Sequence, residues 1–167
     1  VQESIDTAYY AAGESRRLFA PFVPSELPNK FAFTMRVPLG IAGLISPWNF
    51  PSAIPAWKMF PAILSGNTVV IKPATDTPYT VLNMVKLMEE AGLPAGVVNI
   101  VFGSGSNVGI PLVEHPDTRI ISFTGSVDVG KDIAARAGKS LKKVSLELGG
   151  KNAVMVMDDA NLELALN

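Results

Sequence analysis

From residue 38 onward the chain repeats one unit: an apolar run, a loop, then a stretch with helical character. The apolar runs are Ile41–Ser46, Thr68–Ile71, Val97–Phe102, Ile120–Phe123 and Val144–Leu148, continuous rather than alternating. A strand that is apolar on both sides is covered on both sides, as in a parallel sheet flanked by helices. Helix candidates lie between the runs, at Ser52–Leu64, Thr77–Ala91, Asn107–Glu114 and Val127–Ala137. Strands joined by such helices make right-handed crossovers, so the spacing predicts an α/β fold with a doubly wound parallel sheet.

The ends of these runs carry residues unlike their interiors. Val144–Lys151 reads Val-Ser-Leu-Glu-Leu-Gly-Gly-Lys, with Glu147 where an apolar strand runs out into two glycines. A carboxylate at such a mouth, beside bare backbone, suits a general base. The four earlier runs end in Pro47-Trp48-Asn49-Phe50, Lys72-Pro73-Ala74, Gly103-Ser104-Gly105 and Phe123-Thr124-Gly125-Ser126. Ligands of doubly wound sheets bind beyond the carboxyl ends of the strands, so all five tips are predicted to share one site.

Ahead of the repeat, an N-terminal helix is predicted within residues 1–23, with Ile5, Tyr9, Ala12 and Leu18 on one apolar face. Residues 24–37 follow as a proline-bearing linker and an extended arm, in which Phe31, Phe33 and Met35 alternate as in an edge strand. At the other end, Val154–Met157 reads as a core strand and Asp158-Asp159 as the start of a last helix. That helix would be cut at Asn167, and the chain does not begin with Met, so it reads as a piece of a longer polypeptide with an incomplete sheet. An incomplete sheet leaves an edge uncovered.

Composition removes whole classes of function. A formal net charge of −1 argues against nucleic acid, which is normally met by a basic face. Gly or Pro breaks every apolar run short of a membrane span, and Val1-Gln2-Glu3-Ser4 has neither the basic start nor the apolar core expected of a signal peptide. With no cysteine and one histidine, disulfides, thiolate metal sites and a Ser-His triad drop out, and a cytoplasmic setting is expected. No loop ends in Gly-Lys-Ser/Thr, which excludes a P-loop phosphotransferase. His115, before Pro116-Asp117, reads as a helix end.

Each remaining motif carries two readings. Gly103-Ser104-Gly105-Ser106-Asn107-Val108-Gly109 is one residue longer than the dinucleotide fingerprint and, taken alone, reads as a tight strand-to-helix turn. Its glycines would also let a ligand approach the backbone at a helix N-terminus. Ser126 fits an ordinary N-cap, and the same donors could face an anion. Lys72 is a surface charge unless nucleotide is bound, when it becomes a partner for a ribose hydroxyl or a 2′-phosphate. Asn49, in a loop braced by two prolines and two aromatics, either bonds its own turn or serves as an oxyanion donor.

Pro47-Trp48-Asn49-Phe50-Pro51, Gly66–Ala74, Phe123-Thr124-Gly125-Ser126 and Leu146-Glu147-Leu148-Gly149-Gly150-Lys151, in this order, resemble the aldehyde dehydrogenase superfamily over essentially the whole chain. The resemblance implies that residues 1–37 are the family's helix and the arm toward its oligomerisation domain, and that 38–167 are the Rossmann-like βα units of its cofactor-binding domain. It implies NAD or NADP as cofactor, an aldehyde as substrate, and a dimer or tetramer of the whole protein. Asn49 would donate to the oxyanion of a thiohemiacetal, and Glu147 would activate the water that hydrolyses the thioester. Lys72 would bind the adenosine ribose, Pro47 and Trp48 would line the crevice, and Gly105, Gly109 and Phe123 would surround the adenine. Gly125 and Ser126 would meet the pyrophosphate. Ile45, Ser46, Asn49, Ala74, Thr75, Thr124, Val129, Glu147, Leu148 and Gly149 complete the implied cofactor set.

Two departures from the family pattern carry consequences. The family's nucleophilic cysteine lies beyond the glutamate, and this chain has no cysteine, so the 167 residues alone are expected to be inactive. Thr75 stands where NAD-preferring relatives often carry a glutamate, which removes a repulsion against a 2′-phosphate. Pro24–Lys30 and Ile54–Lys58 are similar to members acting on semialdehydes of small carboxylic acids, such as 2,5-dioxovalerate. The alternative is a non-catalytic nucleotide-binding or assembly module.

Overall fold

A computed structural model of the chain describes residues 1–17, 22–23 and 25–165. It opens with helix α1 (Gln2–Ser15), followed by a short antiparallel pair, β1 (Phe22–Val23) with β2 (Ala32–Phe33). The βα repeat then runs β3 (Ile41–Ile45), α2 (Ala53–Leu64), β4 (Thr68–Lys72), α3 (Pro78–Glu90), β5 (Val98–Ile100), a π-helical turn (Gly105–Gly109) leading into α4 (Ile110–Glu114), β6 (Thr118–Gly125), α5 (Val127–Gly138) and β7 (Lys143–Leu148). A single turn, α6 (Leu162–Ala165), follows.

The main sheet is parallel throughout, in the order β5-β4-β3-β6-β7. The chain moves outward from β3 through β4 to β5, then crosses back to build β6 and β7 on the other side. The order therefore reverses between β3 and β6, the position where doubly wound sheets open a ligand crevice. Both faces are packed. Ala42, Leu44, Val69 and Ile71 meet Met59 of α2 and Val81 and Val85 of α3 on one face. Ile45, Ile121 and Phe123 meet Leu112 and Val113 of α4 and Ile133 and Ala137 of α5 on the other. Each fully buried Leu, Ile or Met contributes about 1.5–3 kcal/mol of apolar transfer, so these central strands hold the domain together.

The margins depart from the sequence reading. In α1 the buried residues are Ser4 and Ala11, not Ile5, Tyr9 and Ala12; Leu18 lies outside the described residues. Small side chains at seven-residue spacing let α1 lie close against α2, where Ser4 Oγ and Ser52 Oγ share a 2.7 Å hydrogen bond. The segment 1–23 ends in β1 rather than in helix, and the arm forms a ladder only at Ala32–Phe33. Strand β7 is not covered on both faces: among the described residues it is an outer strand paired only with β6, and most of its residues are exposed. Val154–Met157 forms no strand and is exposed, because no neighbouring strand offers it a ladder. The last helical turn starts after Asn161, whose Oδ1 accepts from Glu163 N and Leu164 N, rather than at Asp158-Asp159.

Candidate active site

The register of the ladder decides which strand tips stand side by side. Ile45 pairs with Lys72 on one side and with Phe123 on the other, and Phe123 pairs with Leu146. One row therefore crosses β4, β3, β6 and β7 at their carboxyl ends, with Thr124 opposite Glu147 and Gly125 opposite Leu148 one step further on. Because all these strands are parallel, the Ser46–Asn49, Pro73–Thr75 and Ser126 loops and Gly149 leave the sheet on one edge.

Lys72 is buried, with 6% of its surface exposed, so it is not the solvated charge its sequence position allows. Burial pushes its pKa down. Its Nζ donates to the Pro73 carbonyl at 2.9 Å, the one acceptor it meets among the described residues. Its stem runs beneath Gly109, where an added Cβ would stand 3.8 Å from Lys72 Cδ and 3.9 Å from Ile45 Cδ1. Next to it, Ser46 N donates to the Lys72 carbonyl at 3.2 Å, while Ser46 Oγ is buried with no partner among the described residues. The tips of β3 and β4 thus leave one hydroxyl and part of an ammonium unsatisfied, and such groups normally find a partner.

Two turns close this side of the site. Ser104 Oγ accepts from Asn107 N at 3.1 Å, starting the π-helical turn in place of the regular helix expected from Asn107. The turn needs Gly103: φ is +153°, and a Cβ would lie 2.5 Å from Val108 Cγ2. Ser126 caps α5 through a weak 3.5 Å bond from Val129 N, as its sequence position predicts. The ring of Phe123 folds back over Gly125, where any side chain would collide with it. Val129 is half-exposed beside this turn, and Gly105 is open to solvent.

Glu147 stands on the other face of the sheet. It is exposed on β7 rather than at a buried mouth, and it lines a cavity of about 570 Å³ with Lys58, Ser122, Thr124 and Ser145. The loop carrying Asn49 runs from β3 to α2, the helix on this same face. Its amide makes no hydrogen bond among the described residues, so it does not bond its own turn. The bracing expected from the aromatics is absent too: Trp48 is 65% exposed and Phe50 is exposed. His115 ends α4, as expected.

Sequence reasoning passed over the cation on the Glu147 side. Lys58 is the one charge in α2, and its Nζ donates to Ser122 Oγ at 2.8 Å. Burial lowers its pKa to about 8, while the Glu147 carboxylate pulls it back up. A single charge inside Ala-Ile-Pro-Ala-Trp-Lys-Met-Phe-Pro-Ala-Ile-Leu was the signal available for it. Among the described residues there is no cluster of His, Asp or Glu that could hold a metal, and no helix is long and apolar enough to cross a membrane.

Known proteins similar to this chain are aldehyde dehydrogenases. An α-ketoglutaric semialdehyde dehydrogenase of Bacillus subtilis is 54% identical over 156 residues, covering 93% of this chain and 32% of the relative. A 2,5-dioxopentanoate dehydrogenase of Saccharolobus solfataricus is 50% identical over 145 residues, covering 86% of this chain and 30% of the relative. The NAD+ complex of an aldehyde dehydrogenase from Bacillus cereus superposes with a TM-score of 0.92 at 39% identity, over 99% of this chain and 33% of that structure. The chain thus spans about one third of the length of these relatives. The aldehyde dehydrogenase family profile matches residues 1–167, and the chain belongs to that family.

Proposed function

We propose that this chain is the cofactor-binding part of an NAD- or NADP-dependent aldehyde dehydrogenase that oxidises a semialdehyde of a small carboxylic acid. The observation that carries the reading is the buried pair at the tips of β3 and β4: Ser46 Oγ has no partner and Lys72 Nζ has one. A ribose offers hydroxyls that both donate and accept, so the residues fit a nucleotide there. Gly105, Gly109, Phe123 and Val129 would flank the adenine, and Gly125 and Ser126 the pyrophosphate. Ile45, Pro47 and Trp48 would line the crevice, Ala74 and Thr75 the ribose, and Thr124, Leu148 and Gly149 its nicotinamide end.

When bound, the nicotinamide supplies the hydride acceptor. The chain's own residues would stabilise charge and move a proton. The Asn49 amide, uncommitted in its loop, would donate to the aldehyde oxygen as it becomes an oxyanion. Glu147 would take a proton from the water that releases the acid from a thioester. The thiol comes from outside these residues, because the chain contains no cysteine.

Support for the substrate comes from the 54% identity to the Bacillus subtilis semialdehyde dehydrogenase. Neutral Thr75 beside Lys72 favours acceptance of NADP as well as NAD. Residues 1–37 would form the helix and the arm of a dimer or tetramer, the apolar side chains of Phe33, Met35 and Val37 being exposed for that contact. The whole would work in the cytoplasm. The test is titration of the protein with NAD and NADP while following Trp48 and Trp57 fluorescence. Saturable quenching, weakened at least about tenfold in Lys72→Met, is expected; no response to either dinucleotide overturns the reading.

A further inference from the structure

We propose that Ser122 is a positioning residue: it anchors the Lys58 ammonium on the sheet face beside Glu147, and this pair sets the pH at which Glu147 serves best as a base. The inference rests on the reading of Glu147 as the group that activates water.

Three observations lead to it. Lysine on an apolar helix normally extends its charge to water. Lys58 instead crosses from α2 to β6 and donates to Ser122 Oγ at 2.8 Å. Ser122 is a polar residue set between Ile121 and Phe123 on a strand with apolar neighbours, and it faces the cavity that Glu147 lines. The β6–β7 register pairs Ser122 with Ser145 and Thr124 with Glu147, so Ser122 and Glu147 are diagonal neighbours on one face.

Among the described residues lining the cavity, α2 contributes Lys58 and β7 contributes Glu147; β3, β6 and the remaining wall add no other titratable group. Burial brings the ionisation of Lys58 down to about 8, against the pull of Glu147. The charge beside the carboxylate therefore changes near the working pH of a cellular enzyme. A cation next to a carboxylate holds the electron pair that a base must offer to water. Hydrolysis should accelerate as Lys58 loses its proton.

Ser122 Oγ can only accept from an ammonium, so it stabilises the charged form of Lys58. Its removal lowers the pH at which Lys58 ionises. The experiment uses the complete polypeptide, with lysine labelled at Cε and the Lys58 resonance assigned by its loss in Lys58→Met. Two quantities are followed against pH: the Lys58 chemical shift, read without turnover, and the rate of thioester hydrolysis after a pre-steady-state burst. The parent protein should titrate near pH 8 in both. Ser122→Ala should move both midpoints down by about one pH unit, the weight of one hydrogen bond to a charged group. Ser122→Thr, which keeps the hydroxyl, should restore them, and Lys58→Met should remove the inflection in rate.

A Lys58 chemical shift that titrates at the same pH in Ser122→Ala overturns the anchoring. A rate profile unchanged by Lys58→Met overturns the coupling to Glu147. Failure of the underlying reading looks different: Glu147→Gln would then hydrolyse the thioester at the parent rate, while the Lys58 chemical shift still moved in Ser122→Ala.

Discussion

The interior and the rim of this sheet are built from similar amino acids and do different things. Strands β3, β4 and β6 bury most of their apolar side chains between helices, and Ile121, Val69 and Ile71 have no exposed surface. Strand β7 and the segment that follows it are also rich in Val, Leu and Met, yet Val154 and Met155 are 85% exposed. Apolar content therefore states that a residue can be buried, while the number of neighbouring strands and helices decides whether it is. In the proposed reading the difference extends to function. Stability resides in the middle of the sheet, whereas Glu147, Asn49 and Thr75 sit on exposed tips and edges. Lys72 breaks the division, since it is buried and still has hydrogen-bonding capacity to spare.

The sharpest way to break this comparison is at Glu147. Glu147→Gln in the complete polypeptide should slow thioester hydrolysis by about 10²–10⁴-fold, the range for loss of a general base. Because the residue is exposed on an outer strand, the free energy of unfolding in urea should change by less than about 0.5 kcal/mol. Burst kinetics and denaturation on the same protein check both halves. A large loss of stability would mean that β7 belongs to the interior after all.

The converse is a core truncation. Ile121→Ala removes a fully buried side chain between β3, α4 and α5 and should cost about 2–5 kcal/mol in urea unfolding. Met155→Ala, by contrast, should stay within about 0.5 kcal/mol. Equal effects at the two positions would erase the distinction between interior and rim.

The parts legible in the sequence are those where local pattern and final environment agree. The continuous runs at 41–46, 68–71 and 120–123 became central strands because neighbours on both sides matched their two apolar faces. Ser126 and His115 fell at helix ends because capping depends only on the next few residues. The strand tips fell on one sheet edge because parallel strands must share a direction. What stayed illegible depended on distant partners. Residues 143–148 look like a central strand but lie at the edge, and residues 154–157 alternate like a strand but have no ladder. Lys72 gives no sign in sequence that the π-helical turn will pass over it. Lys58 and Ser122 are 64 residues apart and meet only through tertiary packing. Sequence alone could not relate either of them to Glu147.

The smallest expected effect lies at Thr75, an exposed loop residue three positions beyond Lys72 at the tip of β4. Its side chain is neutral, and Lys72 provides the cation at that tip. Thr75→Glu places a carboxylate where a 2′-phosphate would come, and two like unit charges about 4 Å apart in water repel by about 1 kcal/mol. A phosphate carries more than one charge, so kcat/KM with NADP should fall about tenfold, roughly 1.4 kcal/mol, while that with NAD changes little. Stability should stay put, because the residue is exposed. The comparison of kcat/KM for the two cofactors in the parent and variant decides the point. If the parent already rejects NADP and Thr75→Glu leaves both values alone, cofactor choice is made by the buried Lys72–Gly109 side of the crevice, and the rim does not control specificity at this corner.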